Sequence, residues 1–338
     1  MTKLIVELCQ NHNGDRETFG RMIKSAAESG ADYVKMQSIF SDDVTKRDRF
    51  EEGVTFADGT VKTIKRPYDA EKARLAKLDL SLDDHLFFIG KCKEYGVTPL
   101  TTIFSRHTIP LIAALPWPER VVKVASYDCA SLPMLRELAE HFDHLIVSTG
   151  ATYDEEIRQA AELLSSLGND FSFLHCVTSY PNTLEMANLS RMNWLREFTK
   201  KVGWSDHTHV ERDGVKAAKV SIMLGADFVE RHFTVLEKGE TKDGPVSITP
   251  KLLKELSVFR TVSKNEQRAI VEKYIPEWRT LVGVSNRKMT HTELLNRDYY
   301  RGRFASPGVD GEWVYNWEDK PYVRRETNEN VRADKALV

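Results

Sequence analysis

RVVKVASYDCASLPMLRELAEHFDHLIVST, residues 120–149, holds an apolar strand-like run, a helix-length stretch and a second apolar strand-like run. A strand, a crossover and another strand in so few residues is the signature of a parallel β–α–β unit. The same alternation continues in both directions. The strand-like runs are LIVELC (4–9), DYVKMQ (32–37), TPLTTIF (98–104), RVVKVAS (120–126), HLIVST (144–149), FSFLHC (171–176), KVGWSDH (201–207) and DFVERHF (227–233). Helical stretches such as RETFGRMIKSAAESG and ATYDEEIRQAAELLSSLG lie between them. Gly30, Gly96, Gly168 and Gly225 precede the next strands, where glycine takes the left-handed conformation that ends a helix.

Eight such units in a chain of 338 residues predict an α/β fold, a (β/α)₈ TIM barrel with an irregular C-terminal extension. A doubly wound open sheet is the competitor. It usually carries a glycine-rich phosphate loop after its first strand, whereas this turn reads QNHNGD with one glycine. Two segments fall outside the repeat. Residues 40–80 form a charged insertion between the second strand and its helix, at the end of the barrel where long loops cover active sites. The tail after about residue 274 holds no further repeat. The division expected is therefore a barrel domain over 1–273 and a linker-like extension over 274–338, whose last stretch, ETNENVRADKALV, is polar and expected to be poorly ordered.

Lys and Arg total 48 against 50 Asp and Glu, a formal net charge of −2, and no block of like charge stands out. That argues against a nucleic-acid partner. The N-terminal apolar run is too short for a signal peptide, and no run approaches membrane-spanning length. The four cysteines (Cys9, Cys92, Cys129, Cys176) have no CxxC spacing and read as buried free thiols of a reducing compartment. A cytoplasmic protein with no membrane partner is expected.

In such a barrel the chemistry sits at the C-terminal ends of the strands. The polar residues there are Glu7, Lys35, Gln37, Thr102, Ser105, Lys123, Ser126, Ser148, Thr149, His175, Thr178, Ser205, Asp206, His207, Glu230 and His232. Lys35 and Lys123 each lie inside an apolar strand, where an ammonium is costly without an anionic partner. One reading is a structural ion pair with Glu7 or Glu230. Two lysines at matching heights favour a bound anion such as a phosphate, with Thr102, Ser126 and Ser205 as hydroxyl donors. His207 and His232 are 25 residues apart, close to one β–α unit, and so occupy matching places on adjacent strands. Two imidazoles leave room for water and substrate oxygens. That favours a six-coordinate divalent metal, Mn²⁺ first and Mg²⁺, Co²⁺ or Fe²⁺ as alternatives, over a closed structural zinc site. His12 and His175 fit better as supporting histidines than as ligands.

VELCQNHNGD, GADYVKMQS, KVASYD, LIVSTGAT, LHCVTSYP, GWSDHT and VERHFT, taken together and in order over roughly residues 4–250, resemble the N-acetylneuraminate (sialic acid) synthase family. The resemblance implies a metal-dependent transferase that condenses phosphoenolpyruvate with an open-chain aldehyde sugar, N-acetylmannosamine or a relative, and releases phosphate. It implies His207 and His232 as metal ligands. It places Lys35, Lys123, Thr102, Ser126, Tyr180 and Ser205 around phosphoenolpyruvate, and Glu7 and Gln37 toward the sugar and the reacting centre. Glu230 is a weaker alternative to Glu7. A homodimer belongs to the same expectation.

Three features depart from the family pattern. The family's asparagine after the sixth strand falls at or near Thr178 or Ser179. Its Gly-Pro-Asp is replaced by KDGPVSI, in which Asp243 precedes Gly244 and Pro245; Asp243 and Thr178 are expected to contact the substrate. Its C-terminal antifreeze-like domain is expected to be absent, because only about 30 residues follow the linker-like THTELLNRDYYRGRFAS. Either the charged insertion or the arginines Arg301, Arg303, Arg324 and Arg325 close the mouth, or the acceptor needs no such contact; the competing reading makes the tail a solvated extension or a segment packed under a dimer. The competing functions are another metal-dependent aldolase or ketodeoxy-acid synthase, and a non-catalytic barrel that binds a sugar phosphate.

Overall fold

The computed structural model describes residues 1–237, 239–241 and 243–325; the polar stretch 326–338 lies outside the described residues. Eight parallel strands close into one barrel. In chain order they are β1 (Lys3–Glu7), β2 (Tyr33–Ser38), β3 (Thr98–Ile103), β4 (Val121–Val124), β5 (His144–Ser148), β6 (Asp170–Cys176), β7 (Lys201–Asp206) and β8 (Phe228–His232). Each pairs with its sequence neighbours, and β1 closes on β8. The (β/α)₈ expectation is borne out, and every strand falls within two residues of the run that announced it. The four predicted glycines take φ values of 96, 68, 77 and 90°.

Strand alternation sorts the side chains into two shells. Outward residues such as Val6, Val34, Val122, Val147, Phe173, Trp204 and Val229 pack beneath the surrounding helices in one large apolar cluster. Inward residues form layers. The lower layer is apolar and holds Ile5, Leu100, Ile146, Leu174 and Phe228. Gly203 belongs to this level because a Cβ there would run into the Phe228 carbonyl and the Leu174 side chain. The next layer up, two residues further along each strand, is polar: Glu7, Lys35, Thr102, Lys123, Ser148, Ser205 and Glu230, all buried. A dry apolar plug thus supports a polar floor.

The insertion and the tail meet above that floor. The insertion holds a helix at Tyr68–Ala76 and a short hairpin pairing Val54–Thr55 with Val61–Thr63. The tail holds a helix at His291–Tyr300 and a hairpin pairing Ala305–Pro307 with Trp313–Tyr315. Thr45 Oγ1 donates to the Gly302 carbonyl at 2.6 Å, and Arg47 donates to the Tyr299 carbonyl at 2.7 Å. Asn316 Nδ2 donates to the Phe104 carbonyl at 2.8 Å and to Asp128 Oδ1 at 2.9 Å. Among the described residues no helix is long and apolar enough to cross a membrane.

Candidate active site

The polar floor opens into a cavity of about 450 Å³, a size suited to a small substrate. Register explains how residues far apart in sequence converge. Glu7 is level with Lys35 on one side and His232 on the other. Thr102 is level with Gln37 and with Lys123, and Ser205 with Glu230.

Lys35 forms a close ion pair with Glu7 and donates to Thr102 Oγ1 at 3.1 Å. Its Nζ also lies 3.8 Å from Glu230 Oε2. Lys123 Nζ donates to Ser148 Oγ at 2.6 Å and stands 4.0 Å from Glu230 Oε1. Glu230 therefore sits between the two ammonium groups. Ser205 Oγ donates to its Oε1 at 2.8 Å, while Oε2 has no hydrogen-bond partner among the described residues. Burial pushes Lys35 down to about 8, helped by Lys123 and opposed by Glu230. Burial pushes Glu230 the other way, but Lys123, Lys35 and the Ser205 hydroxyl outweigh it and hold the carboxyl below its ordinary range.

The histidine pair lies one layer above. The rings of His207 and His232 have centroids 5.2 Å apart and an interplanar angle of 74°. The Tyr180 ring packs edge-on against His207 at 4.3 Å, and Cys176 Sγ is 3.7 Å from His207 Nδ1. Burial holds both imidazoles below their ordinary range, so they stand ready as neutral ligands. His232 Nδ1 is buried, has no hydrogen-bond partner among the described residues and lies 4.0 Å from Asp243 Oδ2. Cys9, His232 and Asp243 each offer one donor atom within 4.8 Å of the others. An imidazole nitrogen, a thiol and a carboxylate so grouped are a donor set that suits a divalent cation, with the His207 ring beside His232 but outside that 4.8 Å group.

Of the residues singled out from the sequence, Glu7, Lys35, Gln37, Thr102, Lys123, Ser126, Tyr180, Ser205, His207, Glu230, His232 and Asp243 all line the cavity. Thr178 does not: its carbonyl accepts from Asn296 Nδ2 at 2.8 Å, and Ser179 lines the cavity in its place. His175 points away, its Nε2 bonded to the Ala187 carbonyl at 2.7 Å, and His12 Nδ1 accepts from the Gly14 amide at 3.0 Å. Ser105 hydrogen-bonds Asp43, and Asp206 pairs with Arg231 at 2.7 Å.

The roof adds residues that the strand-end pattern does not reach. Arg66 and Arg74 come from the insertion, and Tyr300, Arg303 and Asn316 from the tail. Of the four tail arginines named above, only Arg303 lines the cavity. Arg301 bonds Glu156 at 3.2 Å, and Arg325 lies over the Phe40 ring at 4.2 Å. Glu71 pairs with Arg303 and, at 2.9 Å, with Arg74, whose Nη1 reaches Gln10 Oε1 at 2.6 Å. Cys9 was within reach of the strand-end rule, two residues past Glu7, but a cysteine beside an apolar run reads first as a core thiol.

Residues 22–269 match the model of the NeuB family, which agrees with the resemblance carried by the strand-end motifs. The N,N'-diacetyllegionaminic acid synthase of Campylobacter jejuni is 29% identical over 80% of this chain and 82% of its own. The pseudaminic acid synthase of Helicobacter pylori is 29% identical over 73% of this chain and 69% of its own. In three dimensions, the spore coat polysaccharide biosynthesis protein SpsE of Bacillus subtilis superposes with a TM-score of 0.67. It is 24% identical and covers 88% of this chain and 77% of that one, a likeness of fold.

Proposed function

Because this chain belongs to the NeuB family, we propose that it is a metal-dependent synthase joining phosphoenolpyruvate to the open-chain aldehyde of a sugar. The product is a 2-keto-3-deoxy acid of the nonulosonic type, and phosphate is released. The chain is an enzyme of the synthase class for which its relatives are named. The observation that carries the substrate reading is the placement of Lys35 and Lys123. Two buried ammonium groups flank one carboxylate on the cavity floor, directly below two imidazoles. An anion with both a phosphate and a carboxylate fits two cationic contacts better than a neutral sugar does.

His207 and His232 would hold the cation, which when bound supplies Lewis-acid polarisation of the aldehyde oxygen. Lys35 and Lys123 bind the phosphate and carboxylate of phosphoenolpyruvate, with Thr102, Ser126 and Ser205 as hydroxyl donors. This fixes the methylene carbon toward the acceptor. That carbon attacks the aldehyde carbon, and the aldehyde oxygen takes up a proton to become a hydroxyl. Water then adds to carbon 2 and gives up a proton, for which the Glu7 carboxylate is the candidate acceptor on the floor, with Glu230 as the weaker alternative. The new carbon 2 hydroxyl loses its proton to the departing phosphate as C=O forms. The bond from carbon 2 to the bridging oxygen breaks, and that oxygen leaves with the phosphate. The lysines neutralise the charge as it moves.

Residues of the tail between 292 and 316 serve this reaction as a roof, with Arg303 facing the acceptor's far end. The test is phosphate release from phosphoenolpyruvate across a panel of aldehyde sugars, with and without EDTA. Release that needs both an aldehyde and a divalent metal supports the reading. Release without metal, or none with any aldehyde, overturns it.

A further inference from the structure

We infer that Cys9, as a thiolate, is a third protein ligand of the cation held by His207 and His232, with Asp243 completing the set. The inference deepens the metal-dependent reading above and rests on it. Cys9 Sγ, an imidazole nitrogen of His232 and a carboxylate oxygen of Asp243 all lie within 4.8 Å of one another. One ion with bonds of about 2.0–2.3 Å to N, O and S holds its ligand atoms within that span. A second observation points to a ligand independently: His232 is buried, and among the described residues its Nδ1 has no hydrogen-bond partner.

The backbone is arranged to present the sulfur. Cys9 has φ of +47°, a left-handed conformation unusual for a residue with a side chain. Its amide donates to Glu7 Oε1 at 2.6 Å, which ties the turn to the polar floor. Gln37 Nε2 donates to the sulfur at 3.3 Å; burial and the neighbouring Asp243 carboxylate hold the free thiol protonated, so the thiolate forms only as the cation binds. Backbone strain of this kind gathers at functional sites. On binding, the Sγ–H proton passes to solvent and a sulfur lone pair forms the bond to the cation. The consequence is selectivity. A site with one thiolate, two imidazoles and one carboxylate is softer than two imidazoles among oxygens, and ranks Co²⁺, Fe²⁺ and Zn²⁺ above Mg²⁺.

The test is anaerobic titration of the EDTA-treated full chain with Co²⁺, followed by absorption spectroscopy and by counting released protons. The wild-type protein should develop a near-ultraviolet sulfur-to-cobalt charge-transfer band and release one proton more than Cys9→Ser. In Cys9→Ser the band should vanish and Co²⁺ should bind at least about tenfold more weakly. Cys92→Ser and Cys129→Ser should keep the band. Asp243→Asn should keep it too, with weaker binding, which guards against misreading a Cys9 variant that folds poorly. Co²⁺ bound without the band, or a band lost in Cys176→Ser instead, overturns the inference while leaving the metal-dependent reading intact. No Co²⁺ binding at all overturns both.

Discussion

Lys35 Nζ lies 3.8 Å from Glu230 Oε2, and that carboxylate oxygen has no hydrogen-bond donor among the described residues. Burial brings Lys35 down to about 8. A lysine with a lowered pKa is charged below that value and neutral above it, so its grip on an anion weakens as pH rises through about 8. The expected outcome is a KM for phosphoenolpyruvate that is flat below about pH 7.5 and climbs by up to about tenfold per unit beyond the pKa. Lys35→Arg should flatten that rise, because a guanidinium stays charged. Lys123→Ala should cost about 2–5 kcal/mol in kcat/KM for phosphoenolpyruvate. A pH-independent KM, together with unchanged kinetics in Lys123→Ala, would show that both lysines only balance Glu7 and Glu230.

His207→Ala and His232→Ala remove one imidazole each from a pair whose centroids are 5.2 Å apart. Each should lower divalent-metal affinity and activity by at least about 100-fold. The barrel should survive, since the apolar plug beneath is untouched. Isothermal titration with Mn²⁺ and circular dichroism separate the two effects. Full metal affinity in either variant would remove the pair from the site.

Arg303 should act on the acceptor alone. It reaches the cavity from the roof, whereas the lysines sit on the floor. Arg303→Ala should raise the acceptor KM about tenfold or more and leave the KM for phosphoenolpyruvate within about twofold. Arg303→Lys should recover little, because a point charge does not reproduce a planar fork. Steady-state kinetics with each substrate varied in turn checks this. Equal effects on both substrates would mean that Arg303 holds the roof together through Glu71 and does not face the acceptor.

Roof docking has its own test. Glu293 is fully buried and accepts from both terminal nitrogens of Arg287, at 2.7 and 2.6 Å. Burial works against the carboxylate, and Arg287 more than offsets it, so the group stays below its ordinary range. Glu293→Ala leaves a buried guanidinium uncompensated and should cost about 3–5 kcal/mol of local stability. Hydrogen exchange should quicken over residues 284–316, with barrel strands β1 to β8 unchanged. Unaltered protection in that segment would show that the pair adds nothing to docking.

The barrel was legible because its signal is local and repeated. Each strand carries its own alternation, and glycines such as Gly168 and Gly225 mark helix ends within a few residues. The floor was legible for the same reason: a lysine inside YVKMQ or VVKVA is anomalous on its face. The roof was not. Arg66 and Arg74 lie in an insertion without periodicity, and their place depends on contacts such as Thr45 to Gly302, across 257 residues. Asn316, which ties the tail to Asp128 across 188 residues, carries no sequence signal at all. Cys9 and Asp243 lie between these cases. Both flank recognisable motifs, but it takes the register of β1 against β8 to bring Cys9 to His232, and the loop after β8 to bring Asp243 there.

The central claim is that this chain forms a carbon–carbon bond at the methylene carbon of phosphoenolpyruvate. The most direct measurement is ¹³C NMR of a reaction containing [3-¹³C]phosphoenolpyruvate, Mn²⁺ in catalytic amount and N-acetylmannosamine or another aldehyde sugar, with phosphate assayed in parallel. The account predicts that the vinyl methylene signal gives way to that of a saturated CH₂ in a 2-keto-3-deoxy acid, one equivalent per phosphate released. Phosphate release that leaves the label in pyruvate, or an unchanged methylene signal with every aldehyde, would contradict it.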